Sequence, residues 1–116
     1  MTTQTATQDV TFAAYVLAAN LRDTFDASLI DGELSLPLCS IMVAALKPTL
    51  NVLADQDALA APCLDLQTIH DVLVRADDIG LDDGATAGPF LHLLSLAAKS
   101  ARDALESVQE TSSAHL

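Results

Sequence analysis

Apolar residues return every three or four positions along four stretches of this chain, and no stretch alternates apolar with polar residues as a half-buried strand would. A chain patterned in this way can bury its apolar side chains only as amphipathic helices. Composition agrees: 51% of residues are hydrophobic but only 3% are aromatic. Leu and Ala, both strong helix formers, supply most of the rest.

The first helix is predicted over 10–25, with Val10, Ala14, Leu17, Leu21 and Phe25 on one face. The second is expected to start at Ser35 as N-cap, with Pro37 tolerated in its first turn. Its stripe reads Leu38, Ile41, Met42, Ala45, Leu46, Thr49, Val52 and Leu53. Pro48 lies inside it, lacks an N–H and crowds the carbonyl of Ala44, so a kink or a break is expected. A third helix follows Ala61-Pro62-Cys63-Leu64, with Asp65 as N-cap, Leu66, Ile69, Leu73 and Ala76 buried, and Gly80 as its stop. The fourth opens at Gly88-Pro89 and carries the cleanest stripe: Phe90, Leu94, Ala97, Ala101, Leu105 and Val108.

These helices pair into an internal repeat. Shifted by 52 residues without a gap, Asp26, Leu29, Asp31, Gly32 and Pro37 fall on Asp78, Leu81, Asp83, Gly84 and Pro89. Leu21, Ala45, Lys47 and Leu53 fall on Leu73, Ala97, Lys99 and Leu105. Leu/Ala bias inflates such matches. The coincidence of turn residues carries more weight, because Gly supplies a backbone conformation others resist and Pro presets a helical turn. The expected fold is therefore all-α, an up-down four-helix bundle made of two tandem helical hairpins. Hairpin 1 covers about 9–60 and hairpin 2 about 62–110, in one domain over 9–110. Residues 1–8 and 111–116 are polar and expected to be disordered.

Sixteen acidic residues against five basic ones give a net charge of -11. Phosphate binding needs Lys and Arg, so direct nucleic-acid binding and binding to anionic membranes are not expected. A basic protein partner is. An up-down bundle would place both Asp-Gly loops at one end, gathering Asp26, Asp31 and Glu33 with Asp77, Asp78, Asp82 and Asp83 into an acidic pole. Asp31, Glu33, Asp82 and Asp83 precede predicted helix starts, where negative charge is favourable. Asp26, Asp77 and Asp78 follow predicted helix ends, where it costs roughly 0.3–1 kcal/mol each. The pole reads either as a docking surface or as two capped, soluble turns.

The chain carries no catalytic motif. His70, His92 and His115 are scattered, without a His-x₃-His pair, and neither Cys39 nor Cys63 belongs to a Cys-x₂-Cys pair. His70 and Asp71 are adjacent, and neighbouring residues on a helix point in different directions. Cys39 aligns with Leu91 across the repeat and reads as a small hydrophobe. Counting back from Gly84 as the sixth position of a calcium loop puts Ile79 where a carboxylate is required. No enzyme activity, metal or cofactor is expected.

One feature is positive. Phe12, Tyr15 and Val16 on the first helix, and Leu91, Leu93 and Leu96 on the fourth, add apolar surface beyond the stripes. A single-layer bundle cannot bury both faces of a helix, so a second copy or another protein is expected to cover them. The leading expectation is a non-catalytic interaction module: a dimeric helical adaptor, regulator or inhibitor of another protein. One alternative is an acidic nucleic-acid mimic that inhibits a DNA- or RNA-binding protein, of the phage or plasmid anti-defence type. A second is a carrier of an apolar small molecule. No run approaches the ~20 uninterrupted apolar residues of a membrane span, and the first residues lack a signal-peptide pattern, so a cytoplasmic location without membrane contact is expected.

Overall fold

The computed structural model describes the backbone of residues 2–114 and the side chains of residues 9–109. The chain is all-helical, with 85% of it in helix and no strand among the described residues. Five helices follow in order: α1 Thr2–Asp31, α2 Leu36–Leu53, α3 Ala60–Val74, α4 Ala76–Ile79 and α5 Ala87–Ala114; a 3-10 turn at Asp57–Leu59 precedes α3. These helix bounds carry the backbone through most of 1–8 and 111–116, the segments expected to be disordered, whose side chains lie outside the described residues.

α1 runs six residues past its predicted end because nothing before Gly32 breaks it. Arg22 Nε donates to Asp26 Oδ2 at 3.3 Å one turn on, and Ser28 Oγ donates back to the carbonyl of Thr24 at 2.8 Å. Gly32, at φ +87°, then takes the left-handed conformation that closes a helix, its N–H bonding the Ser28 carbonyl at 2.7 Å. The first connection is thus Gly32–Ser35 alone. At the start of α2, Ser35 Oγ accepts from the Leu38 N–H at 3.4 Å, and Pro37 sits in the first turn as expected. α2 continues through Pro48 to Leu53, so the helix is not broken there. α3 starts earlier than predicted. Pro62 falls in its first turn and Asp65 inside it, with no side chain capping its start. Gly80, at φ +74°, ends α4, and Thr86 Oγ1 donates to the Gly80 carbonyl at 2.8 Å, so a side chain at 80 would collide with Thr86.

α1 lies along α5 in the most extensive contact of the molecule, α3 packs on both α5 and α2, and α1 meets α2 only sparsely. Phe25, Leu46, Leu66, Ile69, Leu91 and Leu105 are among the side chains fully buried between them. Thirty residues at ~1.5 Å each make α1 about 45 Å long, which accounts for the elongated 50 × 22 × 17 Å shape.

The α3 face is as predicted: Leu66, Ile69, Leu73 and Ala76 are all buried. The α2 face is as predicted only in part: Met42, Leu46 and Leu53 of its expected stripe are buried, whereas Ile41, Ala45 and Val52 are exposed. Its buried row also takes in Cys39 and Leu50. At the 52-residue offset burial coincides at Cys39/Leu91, Met42/Leu94, Leu46/Ala98 and Leu53/Leu105. The turns do not correspond. Gly32 closes a helix in the left-handed region, whereas Gly84 does not take that region and Gly80 does this work instead.

No uninterrupted apolar run approaches ~20 residues, but α2 as a whole is long and apolar enough to cross a membrane by length and composition, with 28% of that span buried in the structure.

Candidate functional surfaces

The two Asp-Gly turns do meet. The Leu34 N–H donates to the Leu81 carbonyl at 2.8 Å, and a Cβ on Gly84 would stand 3.9 Å from the Gly32 carbonyl oxygen. Leu34 and Leu81 are both buried and close this end of the core, leaving the acidic side chains outside. Asp31 at the end of α1, Glu33 on the connection after it, and Asp82 and Asp83 on the other connection are exposed.

Four of the seven carboxylates are placed differently from expectation, Asp31 being the last residue of α1. Asp77 and Asp78 lie in the first turn of α4 instead of after a helix end, where charge is favourable. Asp26 is inside α1, set back along the α1–α5 seam, where it accepts from Ser95 Oγ and from Arg22. The Ser95 hydrogen bond, helped by Arg22 and opposed by partial desolvation, holds the Asp26 carboxyl below its ordinary value of 3.8. Asp83 is also committed: its Oδ1 accepts the Ala85 N–H at 2.9 Å and its carbonyl accepts the Ala87 N–H at 2.9 Å, so it organises the entry to α5. Among the described residues no three of His, Cys, Asp and Glu converge as a metal site would require.

Cys39 is buried, and its thiol is pushed above its usual value by desolvation and then by the nearby Asp82 charge. It stays protonated and packs as a hydrophobe. His70 and Asp71 do interact, correcting the expectation from adjacency: Nδ1 and Oδ1 are 3.2 Å apart, and Gln67 Nε2 donates to the same oxygen at 2.9 Å. These two hydrogen bonds, that from Gln67 first, lower the Asp71 carboxyl. An open groove of about 530 Å³, lined by Thr68, His70, Asp71, Val74, Arg75 and Phe90 among others, runs beside this pair. His70 Nε2 is buried and unpartnered. His92 is exposed, and His115 lies outside the described residues.

The apolar surface is redistributed. Leu91 is fully buried and belongs to the core: on α5 it lies one turn from Leu94 and Ala87, on the stripe and not beyond it. Tyr15 is half-buried. Phe12 and Val16, and Leu93 and Leu96, are exposed as expected. Their outermost members, Phe12 and Leu93, lie apart along the axis. Phe12 is 19 residues from the Gly32 end of α1 and Leu93 six from the start of α5, at the same end of the molecule. At ~1.5 Å per residue they stand about 20 Å apart along the axis.

α2 carries the surface that periodicity missed. Pro37, Ile41, Ala44, Ala45, Pro48 and Val52 are all exposed and recur at three- and four-residue spacing along its outer side. Ser40, Lys47 and Asn51 keep to one flank. The missing signal was available in the charge: from Leu34 to Ala54 there is no acidic residue, in a chain with 16 of them. No protein family, curated protein or solved structure matches this chain.

Proposed function

We propose that this protein is a non-catalytic interaction module, a helical adaptor, regulator or inhibitor that acts by docking on another protein. Nine large hydrophobic side chains among the described residues stay at least 39% exposed on an otherwise acidic chain, and this observation carries the reading. Buried apolar area drives association, and carboxylates around it select a basic partner and exclude acidic ones.

The same reading treats the chain as two tandem hairpins, α1–α2 and α3/α4–α5, in an up-down four-helix arrangement with α2 bent at Pro48. The coincident burial on α2 and α5 supports it. It also includes self-association, through either the Phe12–Val16 or the Leu93–Leu96 patch.

The test is photo-crosslinking in the cell that makes the protein, with probes placed singly at Phe12, Ile41 and Leu93. A recurrent protein partner at one or more positions is expected; the absence of any crosslinked protein from all three would overturn the reading. Sedimentation at micromolar concentration examines the dimer separately, and a clean monomer removes it while leaving the adaptor role intact.

A further inference from the structure

We infer that the outer face of α2 is the docking site for an apolar helical segment of another protein that carries basic residues at both of its ends. This rests on the interaction-module reading and names the surface and the chemistry of its partner.

α2 differs from every other helix of the molecule in having no carboxylate; its one charge is Lys47. Apart from the Ser40, Lys47 and Asn51 flank, α2 is largely apolar, a composition ordinarily covered on most sides, yet only five of its residues are buried and α1 scarcely covers it. Its outer row of Pro37, Ile41, Ala45, Pro48 and Val52 is continuous over 16 residues, about 23 Å.

The ends of this row decide what can cover it. Asp31 and Glu33 stand before α2, and Asp55 and Asp57 stand after it, all four exposed. The apolar strip is therefore bracketed by an acidic pair at each end, roughly 27 Å apart along α2. Two copies docked antiparallel through α2 would set Asp31 and Glu33 of one against Asp55 and Asp57 of the other, at both ends. Docked parallel, each pair would meet its own copy. Either arrangement places four carboxylates together, in a molecule already at -11, so a second copy is disfavoured. An anionic membrane is disfavoured for the same reason. A helix with an apolar face and Lys or Arg at each end satisfies both features: an apolar centre and a rim of opposite charge. One helical face is well short of the ~800 Å² per partner of a standard interface, so a transient complex is expected.

The test uses the full chain and two fluorescent helical peptides of Ala and Leu, one with two lysines at each end and one with glutamates in those places, followed by anisotropy. The lysine-ended peptide is expected to bind and the glutamate-ended one to bind at least tenfold more weakly. Ile41→Asp, at an exposed position, should weaken the first peptide at least tenfold while the thermal melt stays unchanged. Glu33→Lys combined with Asp55→Lys should reverse the preference between the peptides. Equal binding of the two peptides, or none of either, would overturn the inference. So would a dimer that Ile41→Asp dissolves, or pelleting with phosphatidylcholine vesicles that Ile41→Asp abolishes, since a second copy or lipid would then cover α2. If the peptides fail while crosslinks through Phe12 or Leu93 persist, α2 is the wrong surface and the adaptor reading stands; if those crosslinks are missing too, both fall.

Discussion

α2 and α5 are related by the 52-residue offset and bury the same four positions, yet their surroundings differ. α5 is held between α1 and α3 and becomes more polar from its middle onward, where Lys99, Ser100 and Asp103 are exposed. α2 has α3 on one side and little of α1 on the other, and stays apolar outside as well as inside. The inner face of such a helix is chosen by the shared packing pattern. The outer faces differ, and that of α2 is an uncovered apolar strip. The turns joining the helices differ as well, although they carried the sequence match most visibly.

The comparison can be broken first at its core. Leu91→Ala should cost on the order of 2–5 kcal/mol in urea denaturation, as should Leu94→Ala, because each leaves a cavity among fully packed neighbours. Leu93→Ala, on the outer face of the same helix, should cost less than about 1 kcal/mol. Equal losses at 91 and 93 would mean the phase of α5 is wrong.

A second contrast lies within α2. Pro48 is exposed and removes a backbone hydrogen bond from the helix interior, so Pro48→Ala should stabilise the fold by about 1–3 kcal/mol, read as a shift of the urea midpoint. A loss of stability would show that a bend at Pro48 is needed for packing.

The turns provide a third. Gly80→Ala meets both a left-handed backbone and the Thr86 side chain and should cost about 1–2 kcal/mol, whereas Gly84→Ala should change stability by less than about 0.5 kcal/mol. Similar costs at both glycines would restore the turns as equivalent.

The smallest effect belongs to the α1–α5 seam. The Asp26 carboxyl is held below 3.8 in the folded chain, first by Ser95. Its contribution to stability is therefore complete above that ordinary value and is lost as pH falls through the lower folded one. Ser95→Ala should raise the Asp26 pKa towards 3.8, as read by carboxyl NMR titration, and should flatten this acid-side loss. An unchanged titration would separate Asp26 from the seam.

The helical class was legible because Leu and Ala at three- and four-residue spacing have no other way to be buried. The Leu66-Ile69-Leu73-Ala76 face and most of the α5 stripe were legible for the same reason: polar residues on their far sides leave one phase open. Both Asp-Gly turns at one end also followed from the hairpin pattern. The α2 face was legible only in part: Met42, Leu46 and Leu53 were placed inside, but apolar residues stand at so many positions there that periodicity could not separate Ile41, Ala45 and Val52 from Cys39 and Leu50. Leu91 was misplaced on similar grounds. Nor could spacing tell which glycine would adopt positive φ, since that depends on Thr86 and on the closing hydrogen bond from Leu34 to Leu81.

By itself, then, the sequence determined that this chain is helical, acidic and turned at Asp-Gly, because those properties are local to a few residues. Tertiary structure alone decided which apolar side chains stay outside. Burial depends on where neighbouring helices lie, and the sparse meeting of α1 with α2 leaves the acid-free strip of α2 uncovered.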